Sequence, residues 1–281
     1  MKKYQNQKGF SIIELVIILA VVGVLGFVGF KVIQSRDTDK VTQNSSHADN
    51  KTESDDSPPM LAKNIGFKFD YYDPQTKRAG DFAFSTIPAM KDPLVGNQLW
   101  MDYGESSRKP DSKMKNPQTM FLLPAGTKIT AMVDGEVVGL TEFAKNDYGI
   151  MIAKDKSSKW RYEHEHIASP TVKLGDKVVA GDVIAEVGQH TNTWQYPGYG
   201  FFEIGLYRPH SNGVGGSEDC VFKYLDSSVK KDIQAKVSAF YKAWEEYIGD
   251  ESIYDQENYA SPGCAIEETI SWEKPMTAPA N

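Results

Sequence analysis

Apolar residues are strongly segregated along this chain. From Phe10 to Phe30 the only clearly polar side chains are Ser11 and Glu14, whereas from Arg36 to Pro59 almost nothing is apolar. Roughly 21 apolar residues in a helix span a hydrocarbon core, so the first stretch predicts a transmembrane helix over 10–35. The acidic, Ser- and Asn-rich stretch that follows buries too little apolar surface to offset its ordering entropy, and predicts a disordered linker over 36–59. From Met60 onward, short apolar runs are split by Gly, Pro, Asp and Asn, the pattern of a β-rich unit with tight turns. Strands are expected at Gly66–Tyr71, Thr127–Val133, Glu136–Leu140, Gly149–Ala153, Trp160–His166, Val183–Val187 and Gly200–Leu206. Val229, Ile233, Val237, Phe240, Trp244 and Ile248 recur every three or four residues and predict one amphipathic helix over Ser227–Ile248. Asp226 or Ser227 caps its start and Gly249 its end.

A weak internal repeat lies in the β-rich part. Gly126-Thr127-Lys128-Ile129-Thr130-Ala131 reads like Gly175-Asp176-Lys177-Val178-Val179-Ala180. Each copy is a Gly turn leading into a strand, so a barrel or sandwich with pseudo-symmetric halves is expected.

Composition changes this picture only in places. The 281 residues are 40% hydrophobic and 25% charged, as in ordinary globular chains. A net charge of -7 argues against nucleic acid as a partner, since phosphate binding needs an excess of Lys and Arg. Lys2, Lys3 and Lys8 precede the apolar run, which favours an N-terminus inside and a C-terminal part across the membrane. A carboxylate such as Glu14 is costly in hydrocarbon unless paired; a neighbouring subunit's terminal amine is a natural partner.

The run KGFSIIELVIILAVVGVLG resembles the type IV prepilin leader. That resemblance implies cleavage by a prepilin peptidase between Gly9 and Phe10, so that residues 1–9 are a leader. It implies methylation of the new Phe10 amine and a role for Glu14 in assembly with other pilin subunits through the pilus assembly machinery. The expected location is a single-pass membrane protein with its C-terminal domain outside the cytoplasm, assembled into a pilus or associated with one. Pilin helices usually continue into their own head, and the early linker here departs from that pattern. In an exported chain, the two cysteines, Cys220 and Cys264, read as one disulfide.

The order PAGTKITAMVDGEVVGL, YGIMIAKD, YEHEHIAS, VKLGDKVVAGDVIAEVG, GYGFFEIGLYRP resembles the lysostaphin-like zinc endopeptidases, whose domain is a duplicated hybrid motif. This implies a mainly β fold of that kind over 60–215, with a C-terminal helix and disulfide-clasped tail over 216–281. The family holds zinc with a His and an Asp four residues apart and with the second His of a His-x-His before Phe-Glu. Here Phe201 stands at that His and Tyr199 at a catalytic His. Gln98 with Asp102 is the best candidate for the first pair and lacks its His. His166 matches the family's other active-site His.

Those losses set the functional expectation. No catalytic residue, metal or cofactor is assigned, and the head is expected not to be an enzyme. It is expected to be a pilin-like surface protein that binds peptidoglycan or a partner surface through a groove of His164, His166, Trp194, Tyr196, Tyr199 and Glu203. His164 and His166, two apart on a strand, are expected on the same face. The alternative is an active membrane-tethered zinc cell-wall endopeptidase with a rearranged site, built from His164 and His166 with Glu203 or His210.

Overall fold

A computed structural model of the chain describes residues 59–85, 97–106, 115–189, 198–212 and 214–273. The predicted leader, membrane helix and nearly all of the linker, with Gly9, Phe10 and Glu14, lie outside the described residues, as do Trp194 and Tyr196. Among the described residues, no helix is long and apolar enough to cross a membrane.

The described part is mainly β with one α-helix. A small antiparallel sheet comes first, of β1 (Tyr72–Asp73), β2 (Arg78–Ala79) and β3 (Phe82–Ala83). The remaining strands are β4 (Trp100–Met101), β5 (Thr119–Pro124), β6 (Lys128–Thr130), β7 (Gly135–Ala144), β8 (Asp147–Ala153), β9 (Arg161–Ala168), β10 (Lys177–Val178), β11 (Val183–Val187), β12 (Tyr199–Pro209), β13 (Gly216–Asp219) and β14 (Ile270–Trp272). They form one branched sheet of 11 strands, in which β10-β7-β8-β9-β12-β13-β14 is the main path, β11 joins β6 to β9, and β5 joins β4 to β12. The connectivity is thus one continuous, branched antiparallel network.

The internal repeat has a structural counterpart. Gly126 and Gly175 both take left-handed backbone, open to glycine without penalty, at the start of β6 and β10. Gly126 N–H donates to Val187 O, and Val187 N–H returns a bond to Thr127 O; Gly175 N–H donates to Val137 O, and Val137 N–H returns one to Asp176 O. Each copy therefore pairs with the strand that follows the other copy, β6 with β11 and β10 with β7. Even the side chains repeat: Lys128 meets Glu186 at 2.8 Å and Lys177 meets Glu136 at 2.7 Å. These exposed pairs contribute little energy, but they mark the same register twice.

The core is aromatic. Phe67, Phe82, Trp100, Phe121, Phe202 and Phe240 are buried together, with Phe82–Phe240 centroids at 4.5 Å and Trp100–Phe121 at 4.7 Å. The helix α1 (Ser227–Ile248) lays Ile233, Val237, Phe240 and Trp244 on this cluster, as its periodicity predicts, and adds Tyr241. Asp226 accepts from Ser228 N–H at its start, and left-handed Gly249 closes its end with a bond to Glu245 O. Cys220 and Cys264 form a disulfide with 6.0 Å between Cα atoms, tying the chain before α1 to the tail after it.

The expected strand at Gly66–Tyr71 is not formed. Its backbone groups bond elsewhere: Lys68 N–H to the Asp81 carboxylate, and Gly66 O to Thr130 N–H. Phe67 and Phe69 serve as side-chain packing without a ladder. Strand β5 was not expected, because it is apolar without alternation; it is covered on both faces and so lacks the period that marks a half-exposed strand.

Phe240→Ala is expected to destabilise the fold by about 3–5 kcal/mol through the cavity it leaves between α1 and the sheet. Urea unfolding checks this; a loss below about 1 kcal/mol would show that α1 is not docked on the sheet as described.

Candidate metal centre

The site begins with a break in register. Between β8 and β9, Tyr148 pairs with Ile167 and Ile150 with His164, so Gly149 alone faces both Glu165 and His166. This is a β-bulge, and His166 takes the left-handed φ of 57° that it requires. A left-handed non-glycine residue costs on the order of 1 kcal/mol and is held only where its surroundings demand it. The bulge re-aims His166 onto the face that Glu165 already occupies.

That corrects the expectation for the two histidines. His164 and His166 do not share a face, because the inserted residue cancels the alternation of the strand. His164 lies opposite Ile204 on the core side, fully buried, with its ring 6.3 Å from Phe202. Neither ring nitrogen makes a hydrogen bond, and burial holds its pKa down to about 4. It is a neutral core residue and no part of a metal site.

His166 is 21% exposed. Its Nδ1 lies 3.2 Å and 3.3 Å from the two Asp147 oxygens, and its Nε2 lies 3.9 Å from Glu203 Oε2. Burial works against the charged ring, but Glu203, Asp147 and Glu165 together outweigh it and lift the pKa to about 9. Glu165, His166 and Glu203 can each offer one ligand atom, all within 4.8 Å of one another.

The same face carries more acid. Glu163 lies opposite Gly205 on β12, and Glu218 comes in from β13. A Cβ at Gly205 would lie 2.9 Å from Glu218 Oε2 and 3.0 Å from Glu163 Oε2, so glycine lets both carboxyls close over the strand where a larger residue would push them aside. Gln118 Nε2 donates to Glu163 at 3.0 Å. Burial and the Glu163 charge push Glu218 well above the usual carboxylate range. Burial, then the Glu163 charge, lifts Glu165 to about 8.

Other expected residues fall elsewhere. Tyr199 starts β12, with its hydroxyl 2.7 Å from Ser85 Oγ. Gln98 and Asp102 do not reach the cluster: Asp102 takes hydrogen bonds from Trp100 and Tyr241, and Gln98 donates to Glu105 and Ile253. The strand that lies across from β12 is β5, with Met120 opposite Glu203 and Leu122 opposite buried Phe201. Phe201, which stands where a zinc ligand is expected, offers a phenyl ring that does not suit zinc.

Glu165, His166 and Glu203 do fit a metal. Three N and O ligands with a further position open is the pattern of a catalytic zinc. Asp147 holds Nδ1, which leaves Nε2 directed toward Glu203, as in metal sites where an outer carboxylate orients the histidine. Sequence reasoning missed Asp147, Glu165, Glu163, Glu218 and Gln118. The available signal was Glu163 and Glu165 alternating with Tyr162, His164 and His166 in a strand that is largely buried.

The comparisons agree with the outline. Residues 4–30 match the prokaryotic N-terminal methylation motif, and residues 116–202 match the model of Peptidase family M23. Among solved structures, LytU is 27% identical over 38% of this chain and 71% of its own, with a TM-score of 0.33. The catalytic domain of the prophage-encoded M23 protein EnpA from Enterococcus faecalis is 23% identical over 40% and 82%, with a TM-score of 0.31. The catalytic domain of lysostaphin from Staphylococcus simulans is 21% identical over 42% and 86%, also with a TM-score of 0.31. No curated protein matches the chain. The chain therefore carries, in its first 30 residues, a match to a prepilin-type methylation motif and, over residues 116–202, a match to an M23 peptidase model. The match of residues 116–202 to a peptidase model overturns the expectation that the head is not an enzyme.

In the chelator-treated chain, Glu165→Gln is expected to flatten the pH dependence of stability. A carboxyl raised from about 4.5 to about 8 binds its proton more tightly folded than unfolded. Its stabilising effect is complete below about 4.5 and is lost as pH rises to about 8. Melting temperatures across that range, for wild type and variant, check this; identical slopes contradict it.

Proposed function

We propose that this chain is a membrane-tethered, metal-assisted peptidase of the cell envelope, delivered by a prepilin-type leader and acting on peptidoglycan peptides. The observation that carries the reading is the convergence of Glu165, His166 and Glu203 at one bulge, with Asp147 behind the histidine. The match to the M23 family supports the reaction class, and the methylation motif supports export and processing.

In this reading, Glu165, His166 and Glu203 hold the metal, which when bound polarises a peptide carbonyl and lowers the pKa of bound water. Asp147 fixes the His166 ring and keeps Nε2 available. Without metal, His166 carries a proton at neutral pH and is itself the cation that offsets Glu203 and Glu165. Metal uptake then releases that proton, so affinity rises with pH. Phe201 and Leu122 line the neighbouring rungs and keep that part of the face apolar. Tyr199, with Trp194 and Tyr196, remains the proposed groove for the substrate chain.

The test uses the full chain in detergent, stripped by chelator and reloaded with zinc. Elemental analysis is expected to find about one zinc per chain, lost in His166→Ala and Glu203→Gln. Release of peptide amines from purified peptidoglycan is expected to fall about 100-fold in either variant. A folded wild-type chain that takes up no metal and leaves peptidoglycan intact refutes the reading.

The leader carries its own prediction. N-terminal sequencing of the chain from its membrane fraction is expected to start at Phe10, and Gly9→Leu to leave the precursor uncut. A mature form that starts anywhere else counts against prepilin-type processing.

A further inference from the structure

Gln98 and Asp102, which the cluster on β9 and β12 does not use, belong to a second set of buried polar groups. Both are almost wholly buried. Gln98 Nε2 donates to Glu105 Oε1 at 2.7 Å and to Ile253 O at 3.3 Å. Two acceptors fix which end of the amide is nitrogen, so Gln98 Oε1 points away from them, and it has no partner. Asp102 Oδ1 accepts from Trp100 Nε1 at 3.0 Å and from the Tyr241 hydroxyl at 2.6 Å, while its Oδ2 is buried without a partner. The buried Tyr254 hydroxyl also lacks one, and its ring stacks at 4.3 Å on Tyr241, the residue that holds Asp102. The Asp102 N–H bonds Glu105 Oε2 at 3.1 Å and so brings a second carboxylate to the same place.

The orphan atoms are all oxygens, and two of them can only accept. Buried acceptors with no donor require a proton, a water or a cation, and buried charge requires compensation. An all-oxygen set built on carboxylates and an amide carbonyl suits a hard divalent ion, and its lack of nitrogen and sulfur sets it apart from the zinc-type cluster. We propose that Gln98, Asp102 and Tyr254, with the Glu105 carboxylate, form a second site that binds a hard divalent cation of the calcium class. The ion would tie segment 97–105 to α1 through Tyr241 and to the chain after α1 through Ile253 and Tyr254. Burial and the nearby Glu105 charge both disfavour the Asp102 carboxylate and raise its pKa, and a bound cation would offset both.

The proposal is independent of the peptidase reading. Calcium added to the chelator-treated full chain in detergent is expected to raise its melting temperature by several degrees. Terbium at the site is expected to luminesce on excitation of Trp100, and calcium to displace it. Asp102→Asn is expected to lose both responses, while His166→Ala keeps them. No calcium response in wild type overturns the proposal, since the orphan oxygens then share a water; a response that survives in folded Asp102→Asn also overturns it. Should Asp102→Asn fail to fold, Gln98→Glu decides: an added carboxylate at a cation site tightens calcium binding by about tenfold, and unchanged or weaker binding overturns the proposal.

Discussion

Strand β12 is the constraint on which the rest depends. It is 11 residues long, largely buried, and hydrogen-bonded along one edge to β5 and then β13, and along the other to β9. Its alternation sorts the molecule into two environments. Phe202, Ile204 and Leu206 face the aromatic core with Phe121, His164 and Tyr162 across from them; Phe201, Glu203, Gly205 and Tyr207 face the other way, with Glu165, Glu163 and Arg161. A strand committed on both faces and both edges cannot slip, because a one-residue shift would drive Glu203 into the phenyl rings and Phe202 among carboxylates. The aromatic cluster thus holds the register that the polar face needs.

What that face gains is a set of carboxylates that solvent would otherwise keep apart and ionised. Burial alone disfavours their charge, and each additional carboxylate disfavours it further. The chain balances this locally: Glu163 and Glu218 meet beside Gly205, where burial and the Glu163 charge raise the pKa of Glu218, while Glu165 and Glu203 are set against the cationic ring of His166. The bulge at Glu165–His166 makes the second arrangement possible, since without the extra residue the imidazole would lie in the core beside His164. One backbone irregularity, of modest cost, decides where the only solvent-reachable histidine of β9 points.

The sequence carried the parts of this that repeat or alternate. The helix Ser227–Ile248, the Gly-x-Lys repeat, most of the long strands and the cysteine pair were legible because each leaves a periodic or compositional mark. The motif order was legible as well, and it led to a peptidase-like domain. What failed was any inference that needed exact phase. A strand period of two put His164 and His166 together; the bulge separated them. A spacing of four selected Gln98 and Asp102, which lie outside the residues that match the peptidase model and bond to Glu105 and to the helix α1 instead. Strand β5 and the short strands at the edges left no alternation to read, being covered on both sides or only two residues long.

These failures share a cause that bears on the chemistry. Motif reading treats a catalytic site as a list of residue types at fixed offsets, and by that measure this domain has lost its ligands. A metal, however, responds to donor atoms in space. Phe201 removes a ligand at one rung of β12, and Glu203, two residues on, presents a carboxylate on the same face, beside a histidine that a bulge has turned toward it. Carboxylates are harder ligands than imidazole and carry charge, so two Glu and one His, if they held a divalent ion, would neutralise it more fully than a set of two His and one Asp would. A metal held that way would draw less electron density from its bound water and so would be a weaker Lewis acid than one held by two histidines.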